Sequence, residues 1–271
     1  MMISITLPDE SKKELPDDSN GYDLAEMIGP GLAKNAIAIT IDGVQKDLGD
    51  TLKNNNIASI ITIDSDEGLE IMRHTLTAQV LASAIKKLYP KCKLAIGPTI
   101  DNGFYYDVLS EQPISTEDLI SIEKEMQLII QKKSKINKSL HNKTEAINVF
   151  KNLDEHYKIK IIEDSEQDED FQIYTNQDSN FIDLCIGPHL PDLSFIGPFK
   201  LTKVSGAYWK GDSQNEMLTR VYGTAWRNQK ELDKYLDHLI EAEKRDHRKL
   251  GKELDLFSIQ EEAGGGLVFW H

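Results

Sequence analysis

A polar break, Asp64-Ser65-Asp66-Glu67-Gly68, separates two stretches with different hydrophobic patterning, and this contrast constrains the fold more than any other feature. Before it, short apolar runs alternate with polar residues at the period of a strand. Ile3, Ile5 and Leu7 form one run, and Lys12–Leu15 a second after the turn at Pro8-Asp9. Ser19 or Asn20 is placed to cap a short helix carrying Leu24, Ala25 and Ile28, which is expected to stop at Gly29-Pro30-Gly31. Ala36–Ile41, the turn Asp42-Gly43 and Val44–Asp47 read as a hairpin, with Ile57–Ile63 as a last strand. That order predicts a short sheet clasping one helix.

Beyond the break the period becomes helical. A helix is predicted from about Thr75 to Leu88, with Val80, Leu81, Ala84, Ile85 and Leu88 as its buried stripe and Pro90 as its stop. Gly97-Pro98 turns into a strand reaching Tyr106, and Thr116–Lys132 is a second amphipathic helix. Asp164–Asp170 reads as an exposed acidic loop. Phe181–Leu184, Phe199–Ser205 and Leu218–Tyr222 read as strands. Ala225–Leu254 reads as one long connecting helix with Leu232, Tyr235, Leu236, Leu239 and Ile240 on its apolar face. Gly264–His271 has the pattern of a strand beginning, so a further domain is expected to follow. The fold class is α+β.

No apolar run approaches the ~18 residues of a membrane span. The amino terminus lacks the pattern of a secretory signal. Two distant cysteines, Cys92 and Cys185, do not make a disulfide scaffold and suit a reducing cytosol. The net charge of −14 disfavours a general affinity for nucleic acid or anionic lipid. Two local runs oppose that trend: Lys132, Lys133, Lys135, Lys138 and Lys143, and Lys244, Arg245, Arg248, Lys249 and Lys252. Each is either a solvated face or a local surface for a polyanion.

The densest chemistry lies in Asp183-Leu184-Cys185-Ile186-Gly187-Pro188-His189. Cys185 and His189, at a strand end turned by Gly-Pro, either converge on one ligand or metal or are a buried thiol and a turn histidine. His74 stands just ahead of the helix that carries Gln79. Residues five apart on a regular helix diverge by ~140° and those four apart by only ~40°. Thr75 and Gln79 therefore share a face, whereas His74 joins Gln79 only if the turn is widened by one residue or His74 precedes the helix. Lys158, in the alternating Tyr157-Lys158-Ile159-Lys160-Ile161, reads as a strand lysine, either solvated or part of a site.

The segments DLAEMIGPGLAK (23–34), GLEIMRH (68–74), AIGPTIDNGFYYD (95–107), DLCIGPHLP (183–191), GAYWKGD (206–212), YGTAW (222–226) and KRDHRKLGKELDL (244–256) occur in the order found in one family. Through them the chain resembles the amino-terminal half of bacterial threonyl-tRNA synthetase. The resemblance implies a ubiquitin-like TGS domain of β-grasp fold at 1–63, an editing domain at 64–224, a linker helix at 225–256, and the start of a class II catalytic domain at 257–271. ATP, magnesium and zinc, and the dimer contacts, would belong to that further domain, with no cofactor or metal in this part. The implied activity is hydrolysis of seryl-tRNA for threonine in the cytoplasm. A non-catalytic tRNA-binding arm with a degenerate site is the alternative.

The resemblance carries specific expectations. Lys158 is expected to hold water or developing negative charge, His189 to polarise water, and Cys185 and Asp183 to shape the pocket. Tyr106 is expected to hydrogen-bond or pack against the terminal adenosine. His74 is counted among the catalytic group, and Thr75 and Gln79 among the substrate contacts. Where the family shows His-x-x-x-His, Gln79 stands in place of the second histidine. Lys132, Lys133, Lys244 and Arg248 are expected to meet tRNA.

Overall fold

Alternation gives the first strands their buried faces. β1 (Met2–Thr6) pairs antiparallel with β2 (Lys12–Pro16), with Ile3 opposite Leu15. In the computed structural model, which describes residues 1–246, 250–251, 253–259 and 268–270, residues 1–227 form one compact unit and 228–271 a second.

Asn20 caps α1 (Gly21–Ile28) in a reciprocal box with Asp23. α1 stops at Gly29 as expected, where the backbone (φ 165°, ψ 153°) leaves the helical region for one residue. Pro30 opens a second helix, α2 (Pro30–Asn35), because its fixed φ and missing N–H suit a first helical position. β3 (Ala36–Ile41) then lies between β4 (Val44–Asp47) and β5 (Ala58–Thr62). Ile5, Leu15, Leu24, Ile39 and Leu52 form the core on one side of it. Ile37, Ala38 and Ile61 enter a second, larger core on the other. The run Ala36–Ile41 is apolar but for Thr40 because both its faces are covered.

The polar break is a helix cap. Ser65 accepts the Gly68 N–H, and Asp66 and Glu67 sit in the first turn, where the helix dipole favours acids. α3 (Asp66–Thr75) therefore begins well before Thr75, the expected start. It runs through a π turn (Leu76–Leu81) into α4 (Ala82–Leu88) without a break. All six residues of that wide turn are buried.

β6 (Lys93–Leu94), β7 (Thr99–Ile100) and β8 (Gly103–Leu109) follow, then α5 (Leu119–Gln131), whose Leu119, Ile122, Met126 and Ile129 face the larger core. β9 (Ile136–His141) precedes two helices, α6 (Lys143–Asn152) and α7 (His156–Glu163). Lys158 thus lies on a helix, not a strand. Tyr157, Lys158 and Ile162 face inward, a helical spacing that the polar–apolar alternation of the segment conceals. β10 (Phe171–Asn176) pairs with both β9 and β11 (Phe181–Leu184). β12 (Phe199–Tyr208) and β13 (Met217–Ala225) join β8 and β6 in the order β12-β13-β8-β6, with β7 paired to β8.

In the second unit, Asn228 caps α8 (Gln229–Lys244) through the Glu231 N–H. The expected single helix over Ala225–Leu254 is thereby corrected. Ala225 closes β13, and the cap fixes the helix start after it. Leu239 and Ile240 are exposed. β14 (Phe257–Ile259) pairs antiparallel with β15 (Val268–Trp270), so the strand expected near the end is present. Gly264–Gly266 and His271 lie outside the described residues. No helix among the described residues is long and apolar enough to cross a membrane.

Candidate active site

The end of α3 and the turn after β11 bring His74, Cys185 and His189 together. His74 Nε2 lies 2.8 Å from Cys185 Sγ. The His74 and His189 rings stack with centroids 4.7 Å apart. Between Cys185 and His189 the chain turns through a cis Gly187-Pro188 bond. Thr75 Oγ1 donates to the Ile71 carbonyl, which can only accept, at 2.9 Å. Its oxygen then accepts the Leu190 N–H at 2.9 Å and the His189 Nδ1–H at 3.2 Å. This network places a proton on His189 Nδ1, and Nε2 has no partner among the described residues.

Beside this group lies a buried ion pair. Lys158 Nζ is 2.5 Å from Asp183 Oδ1 and donates to the Tyr106 hydroxyl at 3.1 Å. Tyr106 in turn donates to Asp183 Oδ2 at 3.0 Å. Lys158 is 3% exposed, Asp183 2% and Tyr106 0%. Burial, reinforced by Asp183, holds the Tyr106 hydroxyl well above the ordinary phenol range. Tyr106, expected to hydrogen-bond or pack against the terminal adenosine, does not line the cavity described below. Its ring is enclosed, and its hydroxyl joins the lysine to the aspartate.

A cavity of about 460 Å³ opens over these groups, lined in part by His74, Ala78, Gly97, Lys158, Asp183 and Cys185. Ile96, Ile161 and Ile186 add apolar wall. His189 stands behind His74 and does not line the cavity. Thr75 and Gln79, expected as substrate contacts, do not line it either. Thr75 spends its hydroxyl on Ile71, His189 and Leu190. Gln79 is 0% exposed, and both its amide atoms lack a partner among the described residues. The widening that would allow His74 to meet Gln79 is present as the π turn, yet it is Ala78 that reaches the wall. Replacing a buried, unpaired amide by a similar apolar shape should help. Gln79→Met is expected to raise stability by about 1–3 kcal/mol in urea denaturation.

Burial lowers the pKa of His74 below its ordinary value of 6.5, against the opposing pull of Asp183, Asp47 and Glu70. The imidazole is accordingly neutral at pH 7. The unfolded chain binds this proton more readily than the folded one. The stability tied to neutral His74 is therefore full above pH 6.5 and is lost as pH falls through the lowered folded value. Urea midpoints between pH 7 and pH 5 should show that loss, and His74→Leu should flatten it. By contrast, burial pushes the Cys92 thiol up to about 11, which leaves it inert.

His74, Cys185 and His189 have donor atoms within 4.8 Å of one another, the grouping among the described residues that could hold a metal. Nitrogen and sulfur ligands of one tetrahedral zinc stand about 3.5 Å apart. The 2.8 Å separation of His74 and Cys185 is instead that of a direct hydrogen bond. As arranged, His74 and Cys185 fit a direct polar contact better than a shared ion, and His189 meets His74 by stacking.

The basic candidates divide. Lys132 and Lys133 are exposed after α5. Lys138 of the same run is engaged by Asp47 and Asp50. Lys244 pairs with Glu241 at 2.9 Å on the surface of α8. Arg248 lies outside the described residues. Tyr174, whose ring packs edge-on against His189 with centroids 4.3 Å apart, is not singled out by the sequence; its place in an alternating strand is the available signal.

Two family models match. Residues 3–62 match the TGS domain and residues 172–222 the threonyl and alanyl tRNA synthetase second additional domain. The chain is 48% identical over 270 residues to the threonine–tRNA ligase of Acidithiobacillus ferrooxidans. It is 50% identical to that of Francisella tularensis and 47% to that of Rickettsia akari. In each case all of this chain is covered but only 42% of the relative's length.

Proposed function

The chain corresponds from end to end to the amino-terminal portion of the threonine–tRNA ligases, and on that premise we propose that its cavity hydrolyses the serine ester of mischarged threonine tRNA. The observation that carries this reading is the convergence of a neutral His74, Cys185 and the buried Lys158 on one cavity wall. The need for such a site is physical. Serine lacks only one methyl of threonine, and a missing methyl gives roughly 10–200-fold discrimination in a single binding step. A second site small enough to exclude the methyl supplies the rest.

In the proposed reaction His74 orients a water at the cavity wall and takes its proton as the oxygen attacks the seryl carbonyl. The Lys158 ammonium stabilises the carbonyl oxygen as it becomes an oxyanion. The carbonyl–ribose bond then breaks and the proton passes to the departing ribose oxygen. His189, stacked behind His74, keeps that ring in place, and Cys185 fixes its other side. No step is assigned to a metal ion.

The deciding experiment mixes the purified chain with seryl-tRNA and threonyl-tRNA for threonine, with and without a chelator. Loss of the serine ester alone, unchanged by chelation, supports the reading; release at the buffer rate overturns it. That second outcome would favour a non-catalytic tRNA-binding arm, for which Ala78 in the wall and the enclosed Gln79, neither an imidazole, are the supporting observations. Under either reading tRNA is the partner. Reversing charge at Lys132 and Lys133 is expected to weaken tRNA binding about uniformly. The salt slope should also become shallower, by nearly one for each phosphate that is no longer neutralised, as filter-binding titrations would show. Ligation of threonine with ATP, together with magnesium, zinc and a homodimer, is proposed to reside in the rest of the family's length, and the cytoplasm as the setting.

A further inference from the structure

We infer that Asp47, at the end of β4 in the amino-terminal sheet, is a positioning residue for the hydrolytic site, an inference that rests on the hydrolase reading above. One carboxylate reaches three partners across the unit. Oδ1 accepts the His189 backbone N–H at 2.8 Å. Oδ2 accepts the Tyr174 hydroxyl proton at 2.7 Å and lies 2.8 Å from Lys138 Nζ. The Tyr174 ring, held at its far end in this way, packs edge-on against the His189 imidazole. His189 is thus fixed from both sides, by its own backbone and by its ring neighbour, through a single side chain of another sheet.

The surroundings are built to let that carboxylate in. Gly187 has a φ of +71°, and a Cβ there would lie 2.1 Å from the Tyr174 hydroxyl. Glycine therefore clears the path by which Tyr174 meets Asp47. Asp47 is only 16% exposed at its side chain, and Lys138 balances its charge jointly with that of Asp50. Burial works against the Lys138 ammonium, but its hydrogen bonds to the two aspartates prevail and raise its pKa. Consequently Lys138 remains charged throughout the neutral range. From Asp47 the chain of neighbours runs to His189, then by stacking to His74 and the cavity. The amino-terminal sheet, on this account, completes the site and is more than an appended module.

The test uses the whole chain and three variants. Asp47→Ala removes all three interactions, Asp47→Asn keeps one acceptor oxygen for the His189 N–H, and Lys138→Met leaves that bond intact. Asp47→Ala is expected to lower kcat for seryl-tRNA hydrolysis by about 10–100-fold with KM within twofold, the effect of a misplaced catalytic group. Asp47→Asn should recover part of the loss, and Lys138→Met should lose less than Asp47→Ala. In ¹H–¹⁵N spectra the His189 amide should move upfield in Asp47→Ala and stay near its place in Lys138→Met. An unchanged kcat in Asp47→Ala, a change in KM alone, or an unmoved His189 amide would overturn the inference. Should the unmodified chain release no serine, the hydrolase reading fails, while the amide shift still decides whether Asp47 holds His189.

Discussion

Lys158→Met is expected to cost about 3–5 kcal/mol of folding stability, the usual consequence of leaving one member of a buried ion pair alone. Asp183 would remain 2% exposed, with only the Tyr106 hydroxyl and the Leu184 N–H to meet its charge. Adding Asp183→Asn removes that charge and should restore a large part of the loss, because the penalty comes mainly from the stranded carboxylate. Hydrolysis should not return with stability. Urea midpoints and seryl-tRNA deacylation measured on the single and double variants separate the two roles. A double variant that regained activity along with stability would show that Lys158 acts only as a structural counter-ion.

The second large effect is expected from Gly97→Ala. A Cβ on Gly97 would lie 2.2 Å from Tyr106 Cδ2, 2.6 Å from Cε2 and 3.2 Å from Thr77 Oγ1. The Tyr106 ring cannot step aside, being fully enclosed and tied by its hydroxyl to Asp183 and Lys158. Overpacking of this kind costs about 1–3 kcal/mol. Relief by tilting the ring would break the Tyr106–Asp183 bond, so deacylation should fall more steeply than thermal stability. Gly31→Ala, where nothing lies within 4 Å of the added carbon, serves as the matched control. It should leave both measurements near their starting values. Equal losses in the two variants would contradict the account.

The local features are the legible ones. The Asn20 cap, the Asp42-Gly43 hairpin and the apolar stripe of α5 each follow from residues within a few positions of one another. Ser65 reads as part of a linker because a cap and a polar loop use the same residues. Lys158 reads as a strand residue because a buried lysine looks, in sequence, like a solvated one, and its aspartate partner lies on another element. The convergence of His74 with Cys185 is suggested by resemblance alone, since no spacing links an α3 residue to the turn after β11. Asp47 carries no signal at all. It ends an ordinary hairpin, and its importance comes from Tyr174 and His189, brought to it by the folding of two other elements.

The wide turn at Leu76–Leu81 has one more effect. A five-residue loop of backbone hydrogen bonding occupies nearly the rise of a four-residue one, so it takes up a surplus residue and spares the angular phase of the helix on either side. Across this turn the chain shows the cavity the methyl of Ala78, four residues on from His74, and keeps the long amide of Gln79 enclosed. The room available to an incoming amino acid is thus a property of how the main chain is wound. A side chain longer than that methyl would fill space the cavity now leaves open.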